Sequence, residues 1–293
     1  MLTTLAAPAF AGTWYIENGD ITVKAGETGN NVTQNNVTTE NDPDTIITNQ
    51  NKDTASSNTV TIDAGSDKVE VTLQDVNIKA DSGSALTSKG DVTLTLKGEN
   101  HLTGGNGSGN SSDGSGISSR GSLTITGGET DSLTAKGGSG EKGGDGIYSS
   151  ERVAISGGTV TATGGDSTGS DGSGGYGIYS SGVTISGGTV TANGGDGKNG
   201  SGGSGIFSLG RVAISGSTVN AAGGSSGSSN GGSGIYSSGI DLSGSLELTA
   251  KAGSPNGKAL SQNGKELNLD TIKDKLGPGA KVTATDADGK VID

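Results

Sequence analysis

Four aromatic residues, Tyr148, Tyr179, Phe207 and Tyr236, recur at separations of 31, 28 and 29 residues, each inside the same short phrase. The phrase reads GIYSS at 146–150, 177–181 and 234–238, and GIFS at 205–208. Residues of this type at equivalent places in a repeat either build a sugar-binding surface or stack as a structural ladder that shields the sheet. Aromatic faces pack against the C–H faces of pyranose rings, and tyrosine hydroxyls exchange hydrogen bonds with sugar hydroxyls. The adjacent Ser149, Ser180, Ser208 and Ser237 add further hydroxyls. A second set, Asp145, Asp166, Asp171 and Asp196, lies among glycines and serines. Flexible carboxylates with nearby backbone carbonyls suit calcium, so these four are the candidate ligands of a calcium cofactor. GGDGIY at 143–148 is faintly similar to the glycine-rich nonapeptide calcium repeat, but the nine-residue period is absent.

Catalytic chemistry has little to work with. The chain has one histidine, His101, and no cysteine, so every Ser/His or Cys/His nucleophile system would depend on a residue that follows a strand and reads as a surface turn. Glycosidases need facing carboxylates, and lyases of acidic sugars pair acidic calcium ligands with a basic proton acceptor. Arg120, Arg152 and Arg211 fall near comparable positions at the start of the second strand of the repeat, yet no carboxylate recurs with them. The expectation is a binding protein and not an enzyme. Thr159 with Thr161, Thr189 with Thr191, and Thr218 with Asn220 form TxT rows like those of ice-binding solenoids, but outward threonine is also the ordinary filler of an exposed strand.

Composition sets the scaffold. Glycine accounts for 58 of 293 residues against a usual level of roughly 7%, while hydrophobic residues reach only 28% and aromatics 3%. So few large side chains cannot fill a globular core of this length, but they suffice for a narrow solenoid lined by small β-branched residues. Net charge is −12, and the 19 Lys and Arg are scattered singly, which argues against nucleic acid or an anionic membrane as partner. No stretch of 18 apolar residues exists to span a bilayer. Ala9, Phe10 and Ala11 form the small-residue pattern cut by a signal peptidase, so residues 1–11 are expected to be the remnant of a secretory signal, and the protein to be secreted or displayed on a bacterial surface.

The elements that must position the aromatics follow from the repeat. With the degenerate GISS at 116–119, the isoleucines run Ile117, Ile147, Ile178, Ile206 and Ile235, a period near thirty that marks stacked units with loops of uneven length. Within 146–165 the apolar residues Ile147, Val153, Ile155, Val160 and Ala162 stand two apart inside each short string, the strand period. Three strands per coil are predicted, GIYSS, RVAIS and GTVTAT, with the Gly/Ser/Asp stretch returning the chain to the next phrase. Stacking places the strands in parallel, giving an all-β, right-handed parallel β-helix of seven or eight coils, roughly 35–40 Å long. The expected divisions are capping strands over 12–62, coils over 63–257 and a C-terminal cap or stub over 258–293, with a short helix from Leu267 to Leu276. If isoleucine points inward, the neighbouring aromatic points outward and the four rings form a ladder.

The segment VTLQDVNIKADSGSALTSKGDVTLTLKGENHLTGG at 71–105, followed by copies of VTISGGTVTATGG, resembles a family of secreted bacterial β-helix proteins described as carbohydrate-binding domains, known from clostridia and other Firmicutes, over roughly residues 59–270. The resemblance implies a right-handed, pectate-lyase-like β-helix, bound calcium, and non-catalytic binding of plant cell-wall or acidic polysaccharide; a monomer is expected. A structural stalk or adhesin segment of a surface protein is the alternative. An acidic protein repels an acidic glycan unless cations bridge the two.

Overall fold

A computed structural model describes residues 12–106 and 114–292; the expected signal remnant, with Ala9, Phe10 and Ala11, lies outside them. The chain is a β-solenoid of about eight turns with parallel strands. A representative coil has strands Ile147–Ser149, Arg152–Ile155 and Thr159–Thr163, the three predicted from the apolar spacing. Each pairs in register with its counterpart one coil on: Ile147 with Ile178, Val153 with Val183, and Val160 with Val190. Those partners continue to Ile206, Val212 and Val219.

Alternation explains why so lean a sequence has a core. Ile117, Ile147, Ile178, Ile206 and Ile235 are all fully buried, as are Val160, Val190 and Val219. The interior is therefore a bundle of aliphatic columns, with these residues resting on Ile, Val or Leu at the same register in the coils above and below. Ala135, Ala162, Ala192 and Ala250 occupy the tight edge where the third strand meets the next glycine-rich segment. The turn from second to third strand needs a left-handed residue, supplied by Gly158 (φ +80°) and Gly188 (φ +76°).

The glycine-rich segments are more than the loops their composition predicts. Gly144 N–H donates to the Gly138 carbonyl, Gly165 to Gly144, Gly175 to Gly165, Gly195 to Gly175, Gly203 to Gly195, Gly224 to Gly203 and Gly232 to Gly224, at 2.7–2.9 Å. Each coil thus contributes an outgoing and an incoming glycine pair, and one zigzag of backbone hydrogen bonds runs from coil to coil along the rod. Backbones approach so closely that a Cβ on Gly165 or Gly175 would fall on a neighbouring carbonyl oxygen, of Gly138 and Gly144 respectively. Glycine is required here for contact, and the result is a wall beside the three sheets.

The ends also differ from the expected divisions. Strands Thr13–Tyr15, Ile21–Ala25 and Ile46–Thr48, taken above as caps, are wound into the solenoid: Ile21 pairs with Val60, which pairs with Leu86, and Trp14 pairs with Ile47, which pairs with Leu73. Winding therefore starts well before residue 63. The cap proper is the excursion Asn30–Gln34 and Val37–Asp42, antiparallel strands joined by Asn35 and Asn36 at positive φ. Buried Asp42 fastens it, accepting from the Trp14 indole N–H at 2.9 Å and the Gly12 N–H at 2.7 Å. At the other end the helix expected over 267–276 is two 3-10 turns, Leu269–Thr271 and Lys273–Lys275, because one buried residue between them, Ile272, is enough to close the narrow core. Lys281–Thr285 forms the last parallel strand and takes Val291–Ile292 as an antiparallel edge.

Candidate functional site

In the four coils that carry the aromatic phrase the first strand is only three residues long, so its middle residue must face outward when its neighbours face in. That residue is Tyr148, Tyr179, Phe207 and Tyr236 in successive coils, and all four are half-buried on the outer face. Their rings form a continuous ladder: centroids 5.2 Å apart between Tyr148 and Tyr179, 5.3 Å between Tyr179 and Phe207, and 4.8 Å between Phe207 and Tyr236, with interplanar angles of 13°, 5° and 3°. The four predicted residues do come together, but not as a platform of ring faces. Parallel rings this close cover one another's faces, so the ladder shows its edges and its three phenol hydroxyls to solvent. A free face exists only where the column stops, beyond Tyr148 at Ser118 and beyond Tyr236 at Ser261.

The serines expected on the outer face point inward instead. Ser149, Ser180, Ser208 and Ser237 are fully buried, since a residue two past an inward isoleucine also points inward. Ser149 Oγ donates to the Gly121 carbonyl, Ser180 to Glu151 and Ser237 to Gly210, each at 2.7 Å, fixing the corner between first and second strands.

A fifth aromatic, missed in the sequence, completes the site. Tyr176 lies two residues before Ile178, where other coils have Ser115, Asp145, Ser204 and Ser233. Its ring leans on Tyr179 (5.5 Å, 41°) and Phe207 (4.8 Å, 37°) from the glycine-wall side. The signal was legible as a single large residue in an otherwise small column. Asp145 holds the same position one coil earlier, and its Oδ1 accepts the Tyr176 N–H at 2.8 Å. Between wall and ladder these residues enclose a recess of about 380 Å³ lined by Ser118, Lys142, Asp145, Tyr148, Tyr176 and Tyr179.

Burial pushes the Asp145 carboxyl from 3.8 up to about 7, against the opposing pull of the Tyr176 hydrogen bond. Burial likewise raises the Tyr176 phenol, followed by the nearby Asp145 charge, and raises Tyr179, followed by Tyr148 and then Asp145. The folded state therefore holds a proton on Asp145 that the unfolded chain has released. Its stabilising effect is complete below about pH 4 and is lost as pH rises through 7. With the carboxyl's partial exposure discounted, Asp145→Asn is expected to exceed the wild type by about 1–2 kcal/mol at pH 8 and to match it at pH 4. Chemical denaturation of both proteins at the two pH values measures this, and a constant difference would contradict it.

The remaining predicted ligands are spread along the wall. Asp166 Oδ1 accepts from Asp196 N–H at 2.8 Å, Asp196 Oδ1 from Ser225 N–H at 2.6 Å, and Asp171 stands apart, exposed. These carboxylates cap the backbone of the following coil, and among the described residues no group of three or more His, Cys, Asp or Glu is placed to hold a metal ion. His101 is an exposed residue within the strand Glu99–Thr103, not a turn residue. Arg152 and Arg211 share the register of Gly182 between them, but Arg120 sits at the end of a first strand opposite Lys89, so the three form no row. Arg211 is instead ion-paired to Asp241. Compared with known proteins, the chain matches no family model, no curated protein and no solved structure.

Proposed function

We propose that the protein is a non-catalytic, extracellular polysaccharide-binding module whose glycan lies along the rod on the aromatic ladder. The carrying observation is the outward column of Tyr148, Tyr179, Phe207 and Tyr236, repeating every coil at 4.8–5.3 Å. A periodic edge of phenol hydroxyls suits a periodic chain of hydroxyls, and the uncovered ring faces at the two ends suit a sugar ring that continues the stack. The resemblance at 71–105 to secreted carbohydrate-binding β-helices points the same way.

The ladder also stacks on itself, so the test must separate contact from support. Phe207 shows that the stack accepts phenylalanine. Changing Tyr148, Tyr179 and Tyr236 together to Phe therefore keeps the rings and removes the hydroxyls. Affinity for the glycans found on an array is expected to fall roughly 100-fold, from three hydrogen bonds of about 1 kcal/mol each. The triple Ala variant should abolish binding. Retained affinity in both would make the ladder structural, and a blank array with adhesion to cells would favour a display stalk. With net charge −12, an acidic glycan requires a bridging cation, calcium being the hard cation carboxylates hold best. Its binding is then expected to collapse on adding chelator, and unchanged affinity would reject the bridge.

A further inference from the structure

Resting on the reading of the ladder as a polysaccharide site, we infer that the recess beside Tyr148 is a cage for an ammonium group, and that the glycan is an amino-sugar polymer. The argument begins with where the ladder stops. Ser118 occupies the register in which Tyr148 would have found a further ring, so the small side chain leaves one face of Tyr148 open. The recess there is bordered by Tyr179, whose faces are covered by the stack, and, from the wall side, by the tilted ring of Tyr176. Aromatic faces attract cations through the ring quadrupole, most strongly where water is partly excluded.

Asp145 supplies the countercharge. Oδ1 is occupied by the Tyr176 N–H, while Oδ2 has no hydrogen-bond partner among the described residues. The wall cannot supply one, because its amides are spent on itself: Gly143 N–H goes to Ser173, Gly144 to Gly138, Gly174 to Ser201 and Gly175 to Gly165. The titratable groups facing this carboxyl are Lys142 and the phenols of Tyr148, Tyr176 and Tyr179. Lys142 is exposed and forms no ion pair with Asp145 among the described residues. A half-buried carboxylate bordered by three aromatic rings, with one oxygen free of donors among the described residues, suits an organic cation. A hard metal ion is usually held by several carboxylates, and here Asp145 is the single acidic residue lining the recess. The overall negative charge favours a cationic polymer and opposes an acidic one.

Three probes test the cage on the full chain by calorimetry. A chito-oligosaccharide with trimethylated amines carries a charge that does not vary with pH; its fully N-acetylated counterpart of equal length is neutral; tetramethylammonium is the head group alone. The trimethylated oligomer is expected to bind at least tenfold tighter than the acetylated one, to gain about tenfold between pH 5.5 and 7.5, and to lose both advantages in Asp145→Asn. Lys142→Ala should keep or increase the preference. Equal affinities for the two oligomers, unaffected by Asp145→Asn, overturn the cage and leave the ladder reading standing. If neither oligomer binds, the amino-sugar assignment falls while the ladder reading rests on the array, and the head group decides the cage: tetramethylammonium binding lost in Asp145→Asn upholds it, and no binding overturns it.

Discussion

Gly175→Ala is expected to cost roughly 3 kcal/mol or more and to stop the coils on either side of it from docking, although it adds a single methyl group to a segment with no regular secondary structure. The new Cβ would lie on the Gly144 carbonyl oxygen, with the Gly144 carbonyl carbon and the Gly143 carbonyl also within contact range. All of these are backbone atoms, and the Gly144 carbonyl is held by the Gly165 N–H, so none can swing aside as a side chain would. Relieving the clash means parting Gly175 from Gly165 and Gly195 from Gly175, two links of the same zigzag. Clashes of this kind belong to the small class of substitutions with effects above the usual 0.5–3 kcal/mol. The control is Gly182→Ala, the same chemical change in a second strand, where the nearest atom is 3.9 Å from the added Cβ. It is expected to be neutral or slightly stabilising, because glycine in a strand carries an entropic cost. Thermal unfolding of the two variants decides the matter, and similar melting temperatures would show the wall to be soft.

The second large effect is expected in the isoleucine column. Ile178→Ala removes a fully buried side chain that rests between Ile147 and Ile206, and such truncations cost about 2–5 kcal/mol. The upper half of that range is expected, because a core one side chain thick has no second layer to relax into the gap. A solenoid is close to one-dimensional, each coil contacting only its neighbours, so the damage should also be local in its signature. Hydrogen exchange is expected to accelerate in the strands Ile147–Ser149, Ile178–Ser180 and Ile206–Ser208 more than at Ile21–Ala25. Uniform acceleration along the rod would mean that the coils unfold as one unit.

Much of this architecture was legible in the residues. The period-two spacing of Ile147, Val153, Ile155, Val160 and Ala162 gave three strands per coil, and the recurrence of the phrase gave parallel stacking in register. The outward column of Tyr148, Tyr179, Phe207 and Tyr236 followed from the same alternation. What the pattern could not convey was distance between backbones. Gly165 and Gly175 read as punctuation, since a residue with no side chain leaves no periodic mark whether it turns freely or is pressed against another chain. The same blindness placed Ser149 outward: its hydroxyl suggested a ligand, whereas alternation applied one residue further puts it inside, bonded to Gly121. Tyr176 leaves no periodic mark because it interrupts a column of small residues once, and a single occurrence carries no period. The winding of Trp14, Ile21 and Ile47 into early coils was hidden by the excursion at 30–42, which pushes their partners out of the thirty-residue rhythm.

The glycine zigzag bears on how such a rod can change over time. It clips the root of every long segment, Gly165 to Gly175, Gly195 to Gly203 and Gly224 to Gly232, so whatever chain lies between the two clipped points does not alter the rise to the next coil. That is why intervals of 28 to 31 residues still give strict registry of Ile147, Ile178, Ile206 and Ile235. The spans 167–173, 197–201 and 226–230 beyond the clips still stack on one another, Ser167 N–H donating to the Asp196 carbonyl, Gly200 to Gly172 and Gly227 to Gly197, and their tips, Ser170 with Asp171, Lys198 with Asn199 and Gly227 with Ser228, stand exposed. These tips are the places where insertions, tags or grafted peptides should be accepted without loss of the scaffold, giving the protein a side along which sequence can drift while the sheets stay constrained.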